Sequence, residues 1–174
     1  MSAPSAVVAV DVGGTTLKGA VIADSGRLVA ARTVPTFGPD GSALTGLVDL
    51  VRELIADAGD AGTRPGAIGI STPGIVESAS GVVAYAANLG WRALHLRSIL
   101  EAEFALPTTV EHDARSGAHA ELTALSASDA ANAVFLPIGT GIGAAMISDG
   151  AVVRGATGAA GEIGHIPVVP HGEP

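Results

Sequence analysis

Asp11-Val12-Gly13-Gly14-Thr15-Thr16-Leu17-Lys18, near the start of a 174-residue chain, is the stretch that decides the fold. Residues 6–12 are an apolar run leading into the two glycines, and residues 17–22 are apolar again. This pattern predicts two strands joined through Gly13-Gly14-Thr15, with a third at residues 28–34 after the turn Asp24-Ser25-Gly26. A turn without side chains lets backbone N–H groups approach an anion closely, and the Thr15 and Thr16 hydroxyls add donors. Asp11, at a strand end beside the turn, is placed to hold a hydrated Mg²⁺ against phosphates. Lys18 reads either as a phosphate neighbour or as a solvated strand lysine.

The same pattern returns as Gly139-Thr140-Gly141-Ile142-Gly143, at a shift of 125 residues. At that shift Gly14 meets Gly139, Thr15 meets Thr140, Ala20 meets Ala145, Ile22 meets Ile147 and Asp24 meets Asp149. Either copy alone reads as an ordinary hairpin turn. Neither is a Walker A loop, since no Lys-Ser/Thr pair follows, and neither opens a helix as a dinucleotide fingerprint does. A repeat this long is not a solenoid unit. Two copies in matching contexts predict a duplicated α/β domain with one turn in each half.

Between the copies the period changes. Leu44, Leu47, Val48, Val51, Leu54, Ile55 and Ala58 recur at three- and four-residue steps, one face of a helix capped by Asp40 or Ser42 and stopped near Gly59. Residues 67–71, 82–86, 108–111, 133–137 and 142–147 read as strands, 94–104 and 113–125 as helices. Asn88-Leu89-Gly90-Trp91 and the Gly/Pro-rich tail read as irregular.

Composition narrows the chemistry. Nine basic against 17 acidic residues give a formal charge of −8, with no electrostatic footprint for nucleic acid. The lack of cysteine excludes disulfides, thiol catalysis and Cys-ligated zinc within these residues. Hydrophobic residues make up 48% but aromatics only 3%, so the core is expected to be aliphatic. No positive segment precedes the first apolar run, and the apolar window 133–147 is too short to span a bilayer. A cytoplasmic protein without membrane or nucleic-acid partners is expected.

Paired phosphate hairpins in duplicated α/β halves resemble the actin-like ATPase (ribonuclease H-like) fold, and the ordered motifs resemble the ROK family within it. The resemblance rests on Asp11 to Lys18, Ser71-Thr72-Pro73-Gly74, Asn88-Leu89-Gly90-Trp91, Glu111-His112-Asp113-Ala114, the second Gly-Thr turn, and Gly158-Ala159-Ala160-Gly161-Glu162-Ile163-Gly164-His165. It implies ATP-dependent phosphorylation of a glucose-like hexose, at the 6-hydroxyl. Asp113 would be the general base, at a strand end where its carboxylate meets the positive end of the following helix. ATP and Mg²⁺ would be held by Asp11, Gly13, Gly14, Thr15, Thr16, Lys18, Gly139, Thr140 and Gly141. The sugar would meet Gly74, Asn88, His112, Glu162 and His165. His112 stands where the family usually has Asn, and Arg115 reads as a solvated or structural helix residue.

In the family the histidine matching His165 begins a zinc site completed by cysteines. His165 alone cannot make a tetrahedral site, so zinc is expected only with a cysteine motif beyond this chain. The boundaries expected are an N-terminal domain over 1–112 and an incomplete C-terminal one over 113–174. The resemblance also implies a homo-oligomer, a dimer. Other readings are a sugar-responsive regulator, an inactive fragment, and a nucleotide-driven assembly ATPase. Ten residues before Asp11 and the charge of −8 weigh against direct DNA binding, and the sugar-like segments weigh against the assembly ATPase. The chain as given is expected to fold in its first half and to have little or no kinase activity.

Overall fold

The computed structural model describes residues 6–124, 131–139, 141–167 and 169. It divides into two compact units, Met1–Asp113 and Ala114–Pro174.

The first unit runs through β1 (Ala6–Val12), β2 (Thr16–Ala23), β3 (Leu28–Pro35), α1 (Ala43–Asp60), β4 (Ala67–Thr72), β5 (Ile75–Glu77), β6 (Val82–Ala86), β7 (Trp91–Leu94), α2 (Leu96–Phe104) and β8 (Thr108–His112). Its main sheet has the order β3-β2-β1-β4-β8. β1, β2 and β3 form the predicted antiparallel meander, whereas β1, β4 and β8 are mutually parallel. Ala6, Val8, Val10 and Val12 are buried at every second position of β1. α1 buries Leu47, Val51, Leu54 and Ala58 of the stripe that the spacing predicted and also Leu50, which lay outside it, while the predicted Leu44, Val48 and Ile55 are only partly buried.

The Ser42 hydroxyl caps α1 by accepting from the Thr45 N–H at 3.3 Å, and Asp40 in turn accepts from the Ser42 N–H at 2.9 Å. The helix continues one residue past Gly59. There the Ala61 N–H closes on Asp57 O at 3.1 Å.

A second, three-stranded sheet has the order β5-β6-β7. Only β6 was expected from the sequence. The segment expected to be irregular forms a 3-10 turn over Ala87–Leu89, after which Trp91 opens β7 and is buried in the same core as β1 and α1. Leu94 ends β7, so α2 begins at Leu96 rather than at Leu94.

The second unit contains α3 (Asp113–Ala124, whose first residue closes the first unit), β9 (Ala133–Phe135), β10 (Ala145–Ser148), β11 (Ala151–Val152) and a 3-10 turn at Ile163–His165. The predicted helix end at Leu125 lies outside the described residues. The strands form one antiparallel sheet in the order β11-β10-β9. Its core is Ala114, Ala118, Ala145, Ile147 and Val152, with Leu122, Ala133 and Phe135 packed against them. The strands expected at 133–137 and 142–147 are shorter than expected, and Ile142 instead makes an isolated bridge to Ile138.

The repeat holds as a hairpin but not at a single shift. β1 pairs Val10 with Gly19, and β9 pairs Phe135 with Ala145. The second connection is therefore one residue longer than the first. Burial agrees: Val21 and Ile147 are both buried, whereas the expected match to Val21, Met146, is 38% exposed. The aligned pair Ile22 and Ile147 occupies opposite kinds of face, 36% and 6% exposed. A one-residue slip exchanges the two faces of a strand, so identity of residue type misplaced the second strand.

Candidate functional site

Three parallel strands end together in the first unit. Asp11 stands beside Ser71, and Ser71 beside Glu111, in one row across β1, β4 and β8. Neighbouring strands are about 4.8 Å apart, so the row from Asp11 to Glu111 spans about 10 Å of backbone. Each strand leads into a segment that the sequence singled out: residues 13–16 after β1, Pro73-Gly74 after β4, and Asp113 after β8. Parallel α/β sheets bind ligands at the carboxyl ends of their strands.

The turn after β1 is held from one side. The Gly13 N–H donates to Thr16 O at 3.0 Å. A Cβ on Gly13 would stand 2.7 Å from that same oxygen, so a side chain there would push the turn open. Thr36, fully buried just after β3, donates from Oγ1 to Gly13 O at 2.6 Å and from its N–H to Thr15 O at 3.0 Å. Gly14, Thr15 and Thr16 are exposed, as are Asp11 and its direct cross-strand partner Lys18. Sequence reasoning missed Thr36. Its contact reaches back 23 residues, and no local pattern marks it.

Asn88 lies against this turn: a Cβ on Gly14 would be 3.6 Å from Asn88 Nδ2. The Pro73-Gly74 turn reaches the same neighbourhood of the chain. Gly74 has φ 97°, and a Cβ there would overlap Tyr85 O and stand 2.9 Å from Ala86 Cα. Only glycine lets this turn lie flat on the end of β6, two residues before Asn88.

Glu111, His112 and Asp113 close β8 and open α3. The half-buried Glu111 carboxylate accepts from Ser78 Oγ at 2.7 Å and from the His112 N–H at 2.9 Å. Its place in the Glu-His-Asp run does not by itself mark this role. The His112 side chain is 7% exposed and the Asp113 side chain 46%, with His112 Nε2 3.2 Å from Asp113 Oδ1.

In the second unit the Gly139 N–H donates to Gly141 O at 2.9 Å. Both glycines are exposed, with room for a Cβ at either. Thr140 lies outside the described residues. Glu162 and His165 share the 3-10 turn, where the His165 N–H donates to Glu162 O at 3.2 Å. His165 Nε2 stands 3.9 Å from Glu162 Oε2. Arg115 is buried and donates from Nη1 to Gly158 O at 2.9 Å, tying α3 to the loop before Glu162. Of its two readings, this is the structural one.

The residues around His165 do not fit zinc. Among the described residues no group of three His, Cys, Asp or Glu side chains is gathered to hold a metal ion, and the His165 side chain is 84% exposed. The turn after β1 does fit a phosphate, being exposed and pinned from behind by Thr36. Among the described residues no helix is long and apolar enough to cross a membrane.

This sheet, its turns and its motifs define the class: the chain belongs to the ROK family, whose pattern matches residues 7–174. The fold is the α/β actin-like fold of that family. The chain is 36% identical over 167 residues to a glucokinase of Halalkalibacterium halodurans, covering 95% of this chain and 51% of the relative. It is 38% identical over 119 residues to a xylose repressor of Caldicellulosiruptor bescii, covering 68% and 30%. Among solved structures, a ROK family glucokinase from Streptomyces griseus in complex with glucose and AMPPNP superposes with TM-score 0.80 at 33% identity. That match covers 96% of this chain and 52% of the other. The chain thus spans about half the length of the glucokinases it matches.

Proposed function

We propose that this chain carries the base and the first phosphate turn of an ATP-dependent hexose kinase. The observation that carries the reading is the common edge. The Gly13-Gly14 turn, the Gly74 turn and Asp113 all follow the carboxyl ends of neighbouring parallel strands, and Asn88 lies against Gly14. The similarity to glucokinases, one of them solved with glucose and an ATP analogue, supports the choice of substrates.

In this reading Asp113 accepts the proton of the sugar 6-hydroxyl. The freed oxygen bonds to the γ-phosphorus as the bond to ADP breaks. Backbone N–H groups at residues 13–16, the Thr15 and Thr16 hydroxyls and Lys18 bind the phosphates. Asp11 would hold Mg²⁺, which neutralises charge on the phosphates when bound. Asn88 contacts the sugar, and the Gly74 turn shapes its edge. His112 belongs to this group through Asp113.

The test is transfer of ³²P from γ-labelled MgATP to glucose by the purified chain. Transfer slower than about one per second, below the ordinary enzyme median, is expected. Asp113→Asn should lower it by about 10²–10⁴-fold with glucose binding retained. Equal transfer by a folded Asp113→Asn protein would overturn the base assignment. The similarity to a xylose repressor favours one second reading, a sugar-responsive regulator. Glucose binding that neither MgATP nor Asp113→Asn alters would favour it.

A further inference from the structure

We infer that His112 is a positioning residue for Asp113: its imidazole donates from Nε2 to Asp113 Oδ1 and fixes the direction in which the carboxylate faces the sugar. The inference rests on Asp113 being the base. It assigns His112 a different task from direct sugar contact.

Three observations carry it. His112 is 6% exposed, so little of the ring can touch a bound ligand. Its backbone is fixed on both sides, paired with Thr72 in β4 and donating its N–H to the Glu111 carboxylate at 2.9 Å. Its Nε2 lies 3.2 Å from Asp113 Oδ1, within reach of a charge-assisted hydrogen bond. Asp113, by contrast, is the exposed first residue of α3, with a side chain 46% open to solvent. A donor mounted on a buried strand end restricts the orientation of an exposed carboxylate at a helix start. Phosphoryl transfer depends on placement of the nucleophile and its base, so such a restraint acts on rate.

A ring that only filled space would be replaceable by any side chain of similar size. A ring that touched the sugar would act on sugar affinity. The positioning role predicts neither.

The experiment has two parts on the full chain. Long-range ¹H–¹⁵N spectra of the imidazole should show the proton of neutral His112 on Nε2, with that signal moving in Asp113→Ala. A proton on Nδ1, or a spectrum indifferent to Asp113→Ala, overturns the inference whether or not the chain turns over. In the transfer assay, His112→Leu should lower kcat about 10–100-fold with glucose KM within about twofold. His112→Asn, which keeps a donor on a shorter side chain, should recover part of that loss. A rise in KM at unchanged kcat, or equal rates for Leu and Asn, overturns it as well. Failure of the base reading is separate, because there Asp113→Asn itself would turn over normally.

Discussion

The two Gly-Thr turns share a residue pair and differ in support. Residues 13–16 join β1 to β2 inside a five-stranded sheet, with buried Thr36 holding the Gly13 and Thr15 carbonyls. Gly139 and Gly141 lie in the connection from β9 to β10 of a three-stranded sheet, flanked by Leu136, Ile138 and Ile142, which are 51%, 77% and 54% exposed. A glycine turn supplies backbone donors in both places. What differs is the packing behind it, which decides whether those donors hold one arrangement before a ligand arrives. A preformed site loses less free energy to ordering on binding.

Core deletions should separate the two units most. Leu54 is fully buried between α1 and the main sheet, and Leu54→Ala should cost about 3–5 kcal/mol in urea unfolding. Ile147 lies in the smaller cluster among alanines, and Ile147→Ala should cost about 2 kcal/mol. Hydrogen exchange should mirror this, with β10 amides exchanging faster than those of β1. Equal costs, or slower exchange in β10, would show that the second unit is as firmly packed as the first.

The turns themselves differ in the room around their glycines. Gly13→Ala puts a methyl 2.7 Å from Thr16 O, whereas a methyl on Gly139 meets nothing within 4 Å. The first substitution should cost about 1–3 kcal/mol and the second no more than about 0.5 kcal/mol. Thr36→Val removes the 2.6 Å bond to Gly13 O and leaves that carbonyl facing a methyl. It should cost about 1–2 kcal/mol and weaken MgATP binding in a titration. Unchanged affinity in Thr36→Val would mean that the turn keeps its shape without the clamp.

The same contrast explains how much could be read from the sequence. α1 was legible because seven apolar residues keep helical spacing and Ser42 precedes them. β1, β2 and β3 were legible because glycine turns separate apolar runs. β5, β7 and β11 have two to four residues each and exist through pairing with their neighbours, which no local pattern records. The repeat was visible in residue types, but its register was not, since the extra residue lies in the loop that aligned best. Asp113 could be singled out as a strand end that opens a helix. That it follows a strand in which Glu111 stands level with Ser71 and Asp11 required the parallel pairing of β1, β4 and β8, and Thr36 required a contact from the far end of β3.

The smallest effect expected is electrostatic and belongs to the first unit. Arg32 on β3 reaches α1, donating from Nε to Asp57 Oδ2 at 2.6 Å and from Nη1 to Glu53 Oε2 at 2.9 Å. The hydrogen bond from Arg32 holds the Asp57 carboxyl below its ordinary value of 3.8. A carboxyl depressed in the folded state stabilises the fold above its unfolded value, and that contribution is lost as pH falls through the folded one. The loss therefore begins near pH 4 and grows below it. Both partners are solvent-exposed, so salt should screen the pair. Urea midpoints from pH 7 to pH 2 should fall less steeply below pH 4 in Asp57→Asn than in the unmodified chain. High salt should bring the two curves together. Parallel curves at low salt would mean that the ion pair seen between β3 and α1 contributes nothing to holding the helix on the sheet.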